Sequence, residues 1–97
     1  MIYNKFRDNS NRLTIVFSKI PSILYWWYKR KIIKKFQLSI VSDKIRGIDT
    51  IFQTFQSKNG YMINIEWDVW SGFSIVALNK ESEKLVNDIL SFMIEKD

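Results

Sequence analysis

Three carboxylates invite a chemical reading first. Glu66 and Asp68 stand two apart in the alternating stretch Tyr61-Met62-Ile63-Asn64-Ile65-Glu66-Trp67-Asp68, so on a strand both point to the same, outer face. Asp49 joins them if its own strand pairs with this one through a hairpin. Clustered carboxylates supply the oxygen ligands that Mg²⁺ accepts while keeping several waters, so a metal-dependent enzyme at Asp49, Glu66 and Asp68 is one reading of the chain. A nuclease-like centre would add a lysine beside the acids, and none follows Glu66 within this strand. The plainer reading, a solvated sheet face ending in a turn, is favoured, because isolated acid pairs are common on such faces.

Other catalytic sets fare worse. The chain contains no histidine and no cysteine, which removes the commonest general base, the thiolate nucleophile and any disulfide. A Ser–Lys pairing is the nucleophilic arrangement that remains, and no spacing singles one out. Gly47, Gly60 and Gly72 are isolated from one another and draw no phosphate-cradling loop. The reading is of a protein that is not an enzyme and that uses no cofactor and no metal.

A different chemistry lies in Trp26-Trp27-Tyr28-Lys29-Arg30-Lys31-Ile32-Ile33-Lys34-Lys35. On a helix, Trp27 falls away from the apolar stripe, and its neighbours three, four and seven positions on are Arg30, Lys31 and Lys34. An indole among cations on a solvent face suits stacking and cation–π recognition, at protein hot spots and on nucleic acid alike. The competing expectation places Trp27 half-buried under the N-terminal arm, with the lysines only solvating the helix. Trp70, in the turn Trp70-Ser71-Gly72, is a second candidate anchor because no local rule places its side chain. Trp67, by contrast, continues the inward alternation of Tyr61, Ile63 and Ile65 and is assigned to the core.

These residues need elements to position them. Residues 12–20 alternate, with Leu13, Ile15 and Phe17 on one face and Thr14, Val16 and Ser18 on the other, the signature of a strand. Pro21 ends it and suits the first turn of a helix over residues 21–36, whose stripe is Leu24, Tyr28, Ile32 and Phe36 with Tyr25 and Ile33. Residues 37–42 fit either a helix tail or a short strand, and residues 43–47 a connection. Strands are expected over 48–56, 61–67 and 73–78, with Asn59-Gly60 favouring the positive φ of a hairpin turn. Asn79 caps a final helix whose first turn carries Glu81 and Glu83 and whose apolar face is Leu85, Val86, Ile89, Leu90, Phe92 and Met93. Residues 1–11 read as a loosely held arm or an added edge strand.

The expected fold is therefore α+β: a mostly antiparallel sheet of about four strands with two helices on one face, in the order β-α-β-β-β-α. Its 97 residues suit one domain, and a hydrophobic content of 46 % argues against disorder. Apolar groups on both faces of the 48–56 strand (Ile48 and Phe52, Ile51 and Phe55) leave one pair uncovered. An open face or an edge strand of this kind offers a route to a homodimer.

The distribution of charge bears on the class of partner. Residues 1–60 carry twelve Lys/Arg against three carboxylates, a net +9, whereas residues 61–97 carry a net −4. The first half therefore favours an acidic partner. The N-terminus has no apolar core followed by small residues, so no secretory signal is expected. The longest apolar run, residues 23–28, falls far short of the ~20 residues that span a bilayer. The cytoplasm is the default compartment.

In topology, a helix, three strands and a helix resemble double-stranded-RNA-binding domains, which carry a lysine cluster at the start of the last helix. Here that turn reads Asn79-Lys80-Glu81-Ser82-Glu83. In size and style the chain resembles bacterial immunity proteins and phage-encoded inhibitors, which work by steric occlusion. The leading expectation is a non-catalytic module that covers an acidic protein surface through Trp27, Arg30, Lys31 and Lys34, or through Trp70. A nucleic-acid-binding module using the basic helix is the alternative. An anionic membrane surface ranks third, because the apolar stripe of the helix is needed by the sheet.

Overall fold

Leu13, Ile15 and Phe17 do share one face of a strand, and that face is the floor of the core. The computed structural model describes residues 2–95. Its α+β fold is an open antiparallel sheet of seven strands and two helices. The strands are β1 (Asn4–Arg7), β2 (Leu13–Phe17), β3 (Ser39–Ile40), β4 (Ile45–Arg46), β5 (Thr50–Gln56), β6 (Met62–Asp68) and β7 (Gly72–Ala77). The helices are α1 (Tyr25–Phe36) and α2 (Glu83–Glu95), each entered through a single 3₁₀ turn, Ser22–Leu24 and Lys80–Ser82. Spatial order is β1-β2-β7-β6-β5-β3, with β4 also on the outer edge of β5.

Register explains the two faces. Phe17 lies opposite Phe73, Phe73 opposite Trp67, and Trp67 opposite Ile51, while Ile15, Ile75, Ile65 and Gln53 form the next row. Both helices cover these rows. Tyr25 and Tyr28 of α1 reach the Phe73 ring at centroid distances of 5.9 and 5.8 Å. Val86, Ile89 and Met93 of α2 join the same buried cluster, and the helices meet where Phe36 packs edge-on against Phe92. Each fully buried side chain of this size contributes about 1.5–3 kcal/mol. The opposite face has no helix. Thr14, Val16, Ser74 and Val76 are nonetheless buried at its centre, where Phe6, Glu66 and Asn64 lie directly opposite them in register.

Several expected boundaries change. The arm over residues 1–11 contains β1, which pairs with β2, so β2 is not at the edge of the sheet; Met1 lies outside the described residues. The sheet has seven strands instead of about four because β1, β3 and β4 are added at its two edges. The ambiguous stretch 37–42 holds a strand: Gln37 takes a left-handed conformation (φ 54°), Leu38 N–H bonds back to Ile33 O, and Ser39–Ile40 pairs with β5. That α1 ending suits Lys34 and Lys35 in the last turn, where cations meet the exposed carbonyls. The expected 43–47 connection contains β4. Between β3 and β4 the edge is irregular: Thr54 N–H donates to Ser42 Oγ at 3.2 Å, a side chain standing where a backbone carbonyl would be.

Two apolar assignments are also corrected. The helix expected over 21–36 begins as α-helix only at Tyr25, since Pro21 is extended (φ −77°, ψ 163°) and Ser22–Leu24 is 3₁₀. Leu24 consequently leaves the stripe and is exposed. Strand β5 starts at Thr50, so Ile48 precedes it and is fully exposed, while Ile51 and Phe55 are buried and Phe52 is half-buried on the open face. The topology also departs from that of a double-stranded-RNA-binding domain, because β2 from before the first helix pairs with β7. Among the described residues no helix is long and apolar enough to cross a membrane.

Candidate functional site

Helical geometry decides which aromatics of Tyr25-Trp26-Trp27-Tyr28 reach the sheet. Successive residues are about 100° apart, so only a pair separated by three or four shares the inner face. Tyr25 and Tyr28 take that face; Tyr25 is buried and its hydroxyl donates to Ile65 O at 2.7 Å. Burial pushes the Tyr25 phenol well above its ordinary pKa, and the Glu66 charge adds to this. Trp26 and Trp27 are left outside, 55 % and 40 % exposed.

Trp27 packs edge-on against Tyr28 at 4.9 Å, and Lys31 Nζ sits 3.9 Å from the Trp27 ring centroid. This is the cation–π pairing expected at i+4. Arg30 and Lys34 are exposed and have no ionic partner among the described residues. Trp27 is thus partly open to solvent, 40 % exposed. Lys29 points the other way: its Nζ lies 5.1 Å from the Tyr25 ring and donates to Gln53 Oε1 at 3.4 Å. Burial, with Lys44 nearby, lowers its pKa.

Trp70 does not cap the sheet. Asp68 Oδ1 accepts the N–H groups of both Trp70 (2.9 Å) and Ser71 (2.6 Å), fixing the β6–β7 turn. Gly72 completes it at φ 86°, a conformation that L side chains avoid. The Trp70 side chain projects away, 76 % exposed. It stands over a shallow hollow of about 450 Å³ lined by Asp49, Thr50, Asp68, Val69 and Ser71, without a lysine or arginine among these lining residues.

The acidic trio is not gathered into a site. Glu66 and Asp68 share the open face as alternation requires, opposite Phe52 and Thr50. Asp68, however, serves the turn, and Asp49 lies in the β4–β5 connection, where its carbonyl accepts Val69 N–H at 3.0 Å. Glu66 ends a hydrogen-bond chain across the sheet: Thr54 Oγ1 donates to Asn64 Oδ1 at 2.6 Å and Asn64 Nδ2 to Glu66 Oε2 at 3.2 Å. Burial raises the Glu66 pKa, opposed by the Asn64 hydrogen bond and by Arg12. Among the described residues no group of three or more acids converges to hold a metal ion.

Sequence reasoning missed one part of this surface. Beside Trp26 and Trp27, the 3₁₀ turn exposes Ile23 (75 %) and Leu24, and the four line an open apolar hollow of about 550 Å³. The signal was present in four consecutive aromatics, of which a helix can bury only two. Comparison of the chain with known protein families, with curated proteins and with solved structures gave no match. Any functional reading therefore rests on this geometry.

Proposed function

We propose that the protein is a non-catalytic binding module that acts by occlusion, laying the outer face of α1 on an acidic surface of a protein partner in the manner of immunity and inhibitor proteins. The observation that supports this is the Trp27 ring, exposed and stacked by Lys31, with Arg30 and Lys34 on the same helix and without an ionic partner among the described residues. Tryptophan and arginine are the residues enriched at hot spots, and the unpaired cations supply orientation and on-rate against an acidic surface. Trp70 fits this role less well, because Asp49 and Asp68 stand beside it and no cation does.

The test is affinity capture from the native host with wild-type protein and with Trp27→Ala/Arg30→Ala, followed by titration of the captured acidic protein. The double variant is expected to weaken binding by about 1–2 kcal/mol or more. An unchanged affinity refutes the assignment. The same unpaired cations and exposed indoles support a second reading, a nucleic-acid-binding module. That reading requires an affinity for RNA or DNA that falls steeply with salt, since each neutralised phosphate releases counterions. A homodimer through β1 or the open face remains a separate proposal, read from sedimentation.

A further inference from the structure

Three segments meet at one end of the sheet. The Trp67 indole N–H donates to Ile20 O at 2.9 Å, which ties residues 18–24 to the end of β6. Val69 N–H bonds Asp49 O, which draws the start of β5 to the same place. A Cβ on Gly72 would lie 2.7 Å from Phe17 O, so the β6–β7 turn rests directly on the end of β2. Ile23, Leu24, Trp26, Ile48, Val69 and Trp70 are all exposed at this end. The other face of the same helix turn carries the core aromatics, so this apolar group is surplus to the core.

We propose that this end of the molecule docks on an anionic lipid surface, with Ile23, Leu24 and Trp26 entering the boundary between headgroups and acyl chains. The argument against lipid, that the stripe of α1 is needed by the sheet, applies to Tyr25, Tyr28, Ile32 and Phe36 and not to these residues, which lie off the stripe. Charge complementarity points to an anionic surface: from residue 9 to residue 42 the chain has seven Lys/Arg and no carboxylate. Of that set, Arg30 lies one helix turn on from Trp26, and Lys31 and Lys34 one and two turns on from Trp27, with Lys31 Nζ 3.9 Å from the Trp27 ring. Asp49 and Asp68 accompany Val69 and Trp70, so the attraction comes from the α1 side.

The kind of side chain separates lipid from the other anionic partners. A nucleic acid rewards cations and aromatic faces, but gives nothing to Ile23 and Leu24. An interfacial segment pairs Lys/Arg with Trp and aliphatic residues, and tryptophan settles at the headgroup level with its N–H towards water. Among the four tryptophans, Trp67 alone has its indole N–H bonded within the described residues. Those of Trp26, Trp27 and Trp70 are free to meet headgroups. This inference goes beyond the protein-partner reading and does not rest on it, since it turns on Ile23, Leu24 and Trp26, which adjoin Trp27 but are not among the residues assigned to the protein partner.

The experiment is vesicle cosedimentation and tryptophan emission with the full chain. Vesicles of phosphatidylcholine alone are compared with vesicles of about seven parts phosphatidylcholine to three phosphatidylserine, at low and physiological salt. The expected result is a blue shift and binding to the anionic vesicles that weakens with salt. Ile23→Ser/Trp26→Ser is expected to bind about tenfold or more weakly, since burial of large apolar side chains is lost, with its melting temperature unchanged because both residues are exposed. Arg30→Glu/Lys34→Glu is expected to abolish the preference for phosphatidylserine. The proposal is overturned by no binding to anionic vesicles, or by equal binding of the Ile23→Ser/Trp26→Ser variant. It is also overturned if an oligonucleotide binds and the vesicles do not, or if the variant loses self-association in place of vesicle binding. If vesicles fail while capture of an acidic protein still depends on Trp27 and Arg30, the lipid inference falls and the protein reading stands.

Discussion

Gly72 and Gly60 have nearly the same backbone conformation, φ 86° and 85°, in very different surroundings. At Gly60 an added Cβ would meet only Gln56 Nε2, at 3.6 Å, an ordinary contact with a flexible side chain. At Gly72 it would meet Phe17 O at 2.7 Å and Ser18 Cα at 2.9 Å, both backbone atoms of a neighbouring segment. Gly60→Ala is therefore expected to carry only the strain of a left-handed L residue, about 1–2 kcal/mol. Gly72→Ala carries that strain and must also push β2 away from β7; displacing packed structure adds roughly 1–3 kcal/mol, for a total of about 2–5 kcal/mol. Urea unfolding of both variants reads the difference, with the m-value as the check that the unfolded reference has not changed. In a chain this size each kcal/mol moves the melting temperature by roughly 4–8 °C. Equal destabilisation of the two variants would refute the close approach of the β6–β7 turn to the end of β2, and with it the gathering of exposed apolar groups at that end.

Further expectations follow from single atoms. Ser82 is fully buried, accepts Met62 N–H at 2.9 Å and donates to Asn79 Oδ1 at 2.7 Å. Ser82→Ala leaves the Met62 amide unpaired and should cost about 1–3 kcal/mol by thermal or urea unfolding; a loss within error would mean another group takes over that amide. Burial raises the Glu66 pKa, so the folded chain holds that proton more tightly than the unfolded chain does. Stability must then fall as pH rises from the ordinary carboxylate range through the raised value. Glu66→Gln removes the effect and should gain stability over wild type at about pH 7 but not at about pH 3. A difference that is constant with pH would show that the Glu66 charge is not desolvated.

Much of the fold is legible because local pattern and tertiary packing agree. Alternation in β2 and β6 places Ile15, Phe17, Ile63 and Ile65 inward without reference to neighbours, and Asn79 does accept the Ser82 amide that opens the last helix. The edge strands are not legible for the opposite reason. β1 is exposed throughout, and β3 and β4 are two residues each, so none has a face to alternate; they exist only because β2 and β5 offer unpaired backbone. At the candidate site, the Lys31–Trp27 pairing follows from i+4 spacing alone. The exposure of Leu24 does not, since it depends on the 3₁₀ turn that Pro21 and Ser22 begin. Trp70 is beyond local rules, because Asp68 holds the turn backbone and leaves the side chain to point outward.

The irregular border at Ser42 limits how copies of this chain can join. On the β5 side, the outermost strand is broken into two pieces of two residues each, so an incoming strand finds no continuous row to bind. On the other side, β1 presents one unbroken row. A molecule with one usable border can close with a second copy, border to border, and then has none left. If two copies pair through β1, the pairing is expected to stop at two, because the second border offers no continuous row on which stacking could go on.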